Sequence, residues 1–157
     1  MSSFINDSKP DTVNFLTGEI IFHEGDAVQF LYIVKQGSVR IIKETGGRII
    51  PLNVAREKEF VGEESILNRE TYTSTAISLE NTELVRVKKE DILSVIFNCP
   101  EWINNLVKNI ADRLNHAEEI IKEYKIIDVT LSGGEEIDPR DEVKLKKSIS
   151  EYSKKKK

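Results

Sequence analysis

The chain has 157 residues, a net charge of −4, 39% hydrophobic and 32% charged residues. That length suits one domain with tails and leaves little room for a second core. The net negative charge gives no general attraction for nucleic acid, so a polyanion would need a local patch. No apolar run approaches the roughly 18 residues of a membrane span. Met1 to Pro10 carries neither the basic flank nor the apolar stretch of a secretory signal. Cys99 stands alone, which excludes an internal disulfide and four-cysteine zinc sites. A cytoplasmic location is expected.

Met1 to Asp11 is polar and closes on Pro10, so residues 1–14 read as a flexible tail. From Glu19 the chain turns to short apolar runs cut by turn residues. Glu19–His23, Phe30–Lys35, Ser38–Glu44, Arg48–Val54, Thr73–Leu79 and Glu83–Lys88 are predicted strands, rich in Ile, Val, Tyr, Phe and Thr. Gly25-Asp26, Gln36-Gly37 and Gly46-Gly47 supply the turns, the last a hairpin between Ile41-Ile42 and Ile49-Ile50. Short strands at this spacing point to a barrel or sandwich rather than a parallel α/β sheet.

The last third changes character. Lys89–Asn98 is predicted as a short helix, broken at Cys99-Pro100, and Pro100 suits the first position of the next. Ile103, Val107, Ile110, Leu114, Ala117, Ile121 and Tyr124 alternate spacings of four and three, a heptad seam. Leu106 and Ile120 widen the apolar surface beyond one stripe. A long helix over about residues 101–125 is expected, with one face left for a second copy of the chain. Ser132-Gly133-Gly134 reads as a linker. Asp138-Pro139 can cap a short, weak helix through Tyr152, with Glu142 and Lys146 paired four apart. Lys154–Lys157 reads as a solvated end of a charged tail spanning 129–157. Its functional alternative is weak attachment to a membrane surface or nucleic acid.

The stretch from Thr17-Gly18-Glu19 through His23-Glu24-Gly25-Asp26, then Leu31-Tyr32-Ile33-Val34-Lys35-Gln36-Gly37-Ser38-Val39, resembles the opening of cyclic nucleotide-binding domains. These occur in the bacterial catabolite activator family and in the regulatory subunits of cyclic-nucleotide-dependent kinases. Phe60-Val61-Gly62-Glu63-Glu64-Ser65-Ile66-Leu67 resembles that family's phosphate-binding cassette. The likeness runs from about Phe15 to Tyr124. It implies a mainly β fold with flanking helices, an eight-stranded β-roll or jelly roll followed by a long C-terminal helix, with the domain over 15–128. The residues give Gly62 a reading of their own: a glycine opening a short helical turn lets backbone N–H groups approach an anion.

The resemblance also assigns roles inside the pocket. Glu63 takes the position that accepts a ribose 2′-hydroxyl. The arginine that pairs with the cyclic phosphate falls, counting from Gly62, on Tyr72 or Thr73, and neither replaces a guanidinium. A charge-assisted hydrogen bond is worth roughly 1.5–3 kcal/mol, so its loss weakens binding by about one to two orders of magnitude. Glu64 adds negative charge nearby. Arg69, in the loop after the cassette, and the hydroxyls of Thr71, Thr73, Ser74 and Thr75 are the candidates to compensate, and Ser65 in the cassette is a further candidate ligand contact. Thr73 and Thr75 are expected on one face of their strand and Ser74 on the other. The family's base-contacting helix positions fall on Ala117 and Glu118.

No other chemistry is encoded at recognisable spacing. His23, His116 and Cys99 form no metal pattern, and neither a Gly-x-Ser-x-Gly elbow nor a P-loop is present. The chain after Tyr124 is too short and polar for a helix-turn-helix, which argues against sequence-specific DNA binding. No catalytic residue, metal or cofactor is expected. The expected function is a stand-alone regulatory sensor of a cyclic nucleotide, cyclic AMP or cyclic GMP, or a related anion. It would relay a helix shift to a protein partner or across a homodimer. The alternative is a degenerate domain that binds no nucleotide and serves as a dimeric interaction module.

Overall fold

The computed structural model describes residues 11–67, 69–124 and 137–156, and within the long helix all side chains except those of residues 115, 118, 119 and 121–124. Among the described residues eight strands form two four-stranded antiparallel sheets. They are β1 (Thr12–Phe15), β2 (Ile20–Phe22), β3 (Phe30–Gln36), β4 (Val39–Thr45), β5 (Arg48–Ala55), β6 (Phe60–Val61), β7 (Thr75–Ser78) and β8 (Thr82–Lys88). One sheet runs β1-β8-β3-β6 and the other β2-β7-β4-β5. The fold is the expected β-roll with flanking helices.

Alternation sorts the side chains between the two faces of each sheet. Phe22, Val34, Val39, Ala76 and Leu84 point between the sheets and build the main core with Tyr32, Val61, Ile66 and Tyr72. The hairpin sits where Gly46 and Gly47 were expected to turn, both at positive φ (59° and 76°), with Thr45 opposite Arg48. Two strands go beyond the sequence reading. β1 begins at Thr12, inside the segment expected to be tail, because Val13 and Phe15 pack on the main core while the strand pairs with β8. β6 has only two residues, too few to show a period.

Helix α1 (Glu63–Ile66) follows β6, α2 (Lys89–Phe97) follows β8, and α3 (Glu101–Tyr124) touches both α1 and α2. Ile103, Asn104 and Val107 are half-buried and Ala111 is buried. Beyond Ala111 the described side chains of α3 are exposed. Trp102, Leu106, Ile110 and Leu114 form an exposed stripe at four-residue spacing, followed by Ile120. Of the expected seam, Ile110, Leu114 and Ala117 are therefore open to solvent, while the Ile121 and Tyr124 side chains lie outside the described residues. No helix among the described residues is long and apolar enough to cross a membrane.

The C-terminal segment differs most from expectation. Pro139–Lys155 forms a helix, α4, which continues past Tyr152 into the lysine run. Its start matches the sequence signal: the Asp138 side chain accepts from the Arg140 N–H at 2.8 Å, and Pro139 occupies the first turn. The helix is not a solvated appendage. Leu145 and Ile149 are buried against Ile20, Ile42, Ile49 and Ile77, which lie on the outer face of the β2-β7-β4-β5 sheet. An apolar outer face on a two-layer roll needs a cover, and a helix with apolar residues four apart supplies one. The expected linker Ser132-Gly133-Gly134, Met1 to Pro10 and Lys157 lie outside the described residues.

Candidate ligand-binding site

The cassette is built from the end of β6, one helical turn and the strand that returns beside it. Gly62 caps α1 at φ 90°, ψ 9°, a left-handed conformation. A Cβ there would lie 3.1 Å from the Tyr72 ring and 3.5 Å from Phe22, so side-chain space is closed as well. Glycine is thus required at this position twice over. Glu63 and Glu64 follow in the first turn, and Ser65 and Ile66 are buried.

Ser65 ties the turn to the bend that leads into β7, which starts at Thr75 rather than at the expected Thr73. The Ser65 hydroxyl accepts from the Thr73 N–H at 3.2 Å, and the Thr73 hydroxyl lies 3.5 Å away. The Ser74 hydroxyl donates to Glu64 at 3.0 Å. Thr75 faces elsewhere, its hydroxyl accepting from the Glu24 N–H at 3.0 Å. Gly62, Glu63, Glu64, Ser65, Tyr72, Thr73 and Ser74 are therefore gathered around one short loop, and Arg69 belongs to it through the bond from its N–H to the Ser65 carbonyl. The Arg69 carbonyl also accepts from Lys89 at 2.8 Å, which anchors the loop to the start of α2.

Tyr72 is the decisive departure. The ring is 4% exposed and lies parallel to Phe22, with centroids 3.8 Å apart and an interplanar angle of 9°. Its hydroxyl donates to the Phe30 carbonyl at 2.6 Å. Burial, and then the neighbouring Tyr32, hold the phenol far above its ordinary range, so it stays neutral. Tyr72, one of the two positions on which the resemblance puts a guanidinium, is thus an uncharged ring built into the core beneath Gly62.

A second residue, missed in the sequence reading, brings a cation beside Thr73. Ile41 packs on the main core and Ile42 on the outer cluster, so alternation along β4 turns Lys43 inward. Its ammonium donates to the Thr73 carbonyl and to Glu24 at 2.9 Å, with the side chain only 14% exposed. The signal was partial: Lys43 shares the parity of Val39 and Ile41, but the adjacent Ile42 leaves open in the sequence which parity is the inner one. Asn53, the partner of Ile41 in β5, shares that inner face and is exposed.

Glu63 keeps solvent contact, yet the surrounding roll desolvates it, and with Glu64 beside it the carboxyl is pushed up to about 7. Protonation at Glu63 therefore changes within the physiological range. Ala117 on α3 is exposed; the Glu118 side chain lies outside the described residues.

Comparison with known proteins agrees with this architecture. Residues 12–99 match the family model of the cyclic nucleotide-binding domain. The chain is 35% identical over 102 residues to the cyclic AMP receptor protein of Thermus thermophilus, covering 64% of this chain and 47% of that protein. It thus spans about half the length of that curated relative. Among solved structures, the cyclic AMP-bound EAL enzyme Bd1971 superposes with a TM-score of 0.64 at 28% identity, over 71% of this chain and 30% of that one. The Thermus thermophilus catabolite activator protein superposes at 0.59 with 31% identity, over 74% of this chain and 55% of that one. With a left-handed cassette glycine, an adjacent glutamate and the roll around them, this chain belongs to the cyclic nucleotide-binding domain family.

Proposed function

We propose that the chain is a regulatory module that senses a cyclic nucleotide, or a related small anion carrying a sugar, at the Gly62–Ser65 turn. The observation that carries the reading is the cassette turn: a left-handed Gly62 pinned by Tyr72 and Phe22, with Glu63 open to solvent beside it. In this reading Glu63 accepts a ribose hydroxyl, and the Thr73 hydroxyl and Lys43 face the anionic end of the ligand. Lys43 replaces the family's arginine as the source of positive charge, although it shares that charge with Glu24. The exchange predicts affinity for cyclic AMP or cyclic GMP weaker by about one to two orders of magnitude than an arginine-bearing pocket gives. Lys43→Met should lower it by a further tenfold or so on the same reasoning. Isothermal calorimetry on both proteins checks this, and equal affinities would remove Lys43 from the site.

Output is assigned to α3. Its exposed stripe of Trp102, Leu106, Ile110 and Leu114 suits a second copy of the chain, with about 1.5–3 kcal/mol available per fully buried side chain. Sedimentation equilibrium should find a dimer that Leu106→Glu with Ile110→Glu converts to monomer. A monomeric native protein would transfer the stripe to a different protein partner.

A second reading is favoured by one feature, the burial of Tyr72 where the phosphate partner is expected. It makes the domain a nucleotide-free interaction module. Tyr72→Arg separates the two: binding that appears only in this variant identifies the degenerate module, and binding by the native chain identifies the sensor.

A further inference from the structure

Helix α4 does more than cover the outer isoleucines. Its last turns reach the His23–Asp26 turn that follows β2. The Tyr152 hydroxyl donates to Asp26 Oδ2 at 2.8 Å, and Lys156 Nζ lies 2.7 Å from Asp26 Oδ1 while also sitting over the Tyr152 ring at 5.1 Å. Asp26 Oδ2 also accepts from the His23 N–H at 3.0 Å. The carboxylate, 16% exposed on its side chain, is thus held on both oxygens, and α4 supplies a bond to each.

The same turn is bonded to the cassette through the backbone. The Tyr72 N–H donates to the Asp26 carbonyl and the Gly25 N–H to the Tyr72 carbonyl, both at 2.9 Å. Glu24 adds its N–H to Thr75 and its carboxylate to Lys43, and Ala27 bridges Thr71. A chain of bonds therefore runs from α4 through Asp26 to the residue that packs beneath Gly62. Contiguous hydrogen bonds of this kind give two sites a physical route along which they can be coupled.

We infer that Asp26 is a positioning residue for the cassette, and that docking of α4 on the roll and the conformation of Gly62–Tyr72 are thermodynamically coupled through it. The coupling deepens the sensing proposed above and depends on it only for the ligand arm of the test. Such a device gives a ligand at the cassette a second output, release or tightening of the C-terminal helix, in addition to α3. It equally lets a partner that captures α4 change the affinity of the cassette, by the reciprocity of linkage.

The test uses the full chain carrying Tyr152→Phe with Lys156→Met, which removes the two bonds that the C-terminal segment makes to Asp26 and keeps the apolar packing of Leu145 and Ile149. Lys144→Gln, on the solvent side of α4, is the control. Amide hydrogen exchange is read residue by residue. The coupling predicts that protection of the Tyr72 and Gly25 amides falls by about tenfold or more in the double variant, as expected for loss of a charge-assisted bond. Amides in the β4–β5 ladder should be unchanged. Unchanged protection at Tyr72 and Gly25, or an equal fall at every amide, overturns the inference. If the native chain binds cyclic AMP, its affinity should shift in the double variant and not in the control; an unshifted affinity also overturns it. Absence of cyclic AMP binding to the native chain would instead count against the sensor reading and leave the exchange result to decide the coupling.

Discussion

At the scale of single residues, the site turns on Glu63, whose carboxyl is pushed up, and on Tyr72, a neutral phenol locked into the core. Glu63 holds its proton up to about 7 rather than the ordinary 4.5, because the roll desolvates it and Glu64 lies beside it. For a carboxyl raised in the folded state the sign is fixed. Folding is favoured most below about 4.5, where both states are protonated, and that advantage declines as pH rises to about 7. Glu63→Gln should flatten stability over that window, measured as urea midpoints across pH; an unchanged slope would show that another group governs it. Since a carboxylate is the better acceptor for a ribose hydroxyl, affinity for cyclic AMP should rise with pH through the same region in the native chain only. Tyr72 makes a purely structural prediction. Tyr72→Phe keeps the stacking on Phe22 but leaves the Phe30 carbonyl without its donor at 2.6 Å. A loss of about 1–3 kcal/mol in unfolding free energy is expected, and a neutral substitution would mean that water replaces the hydroxyl.

At the scale of elements, the two long helices use their apolar faces differently. α3 leaves Trp102, Leu106, Ile110 and Leu114 in solvent, whereas α4 buries Leu145 and Ile149 on the outer isoleucines. Leu145→Ala should cost about 2–5 kcal/mol if α4 is part of the cooperative fold. A loss near zero in a denaturant titration would show that α4 undocks separately. The grip at Asp26 adds an acid dependence. Burial works to raise that carboxyl, but the bonds from Lys156, the His23 N–H and Tyr152 outweigh it and hold it below the usual range. A depressed carboxyl stabilises above its unfolded value, and the contribution is lost as pH falls through the folded one. Docking of α4 should therefore weaken only in acid, below the ordinary aspartate range. Tyr152 ring resonances followed by NMR would report it, and undocking near neutral pH would contradict it.

At the scale of the whole molecule, a barrel or sandwich was legible because the strands are short apolar runs separated by glycine turns, whereas the eight-stranded roll and the cassette came from the family resemblance of the frame around Gly62 and Glu63. Three features were not. β1 was hidden because a strand of only four residues (Thr12–Phe15) abuts a polar tail. Lys43 was hidden because its inward parity depends on register that no local pattern fixes. The docking of α4 was hidden because Ile20, Ile42, Ile49 and Ile77 come together as an outer face only once four strands are aligned. The Asp138 cap and the Glu142–Lys146 pair, being local, were read correctly.

The proposed sensing stands on ligand binding at the Gly62–Ser65 turn, with Tyr72 buried at one of the two positions where the resemblance expects an arginine. Calorimetry of the native chain with cyclic AMP and with cyclic GMP, carried to millimolar concentration and paired with a melting curve, tests it most directly. The account predicts saturable heat with at least one of the two and a higher melting temperature, amounting to about 2.7 kcal/mol of stabilisation at a hundredfold excess over the dissociation constant. No heat and an unmoved melting temperature with either nucleotide would contradict it.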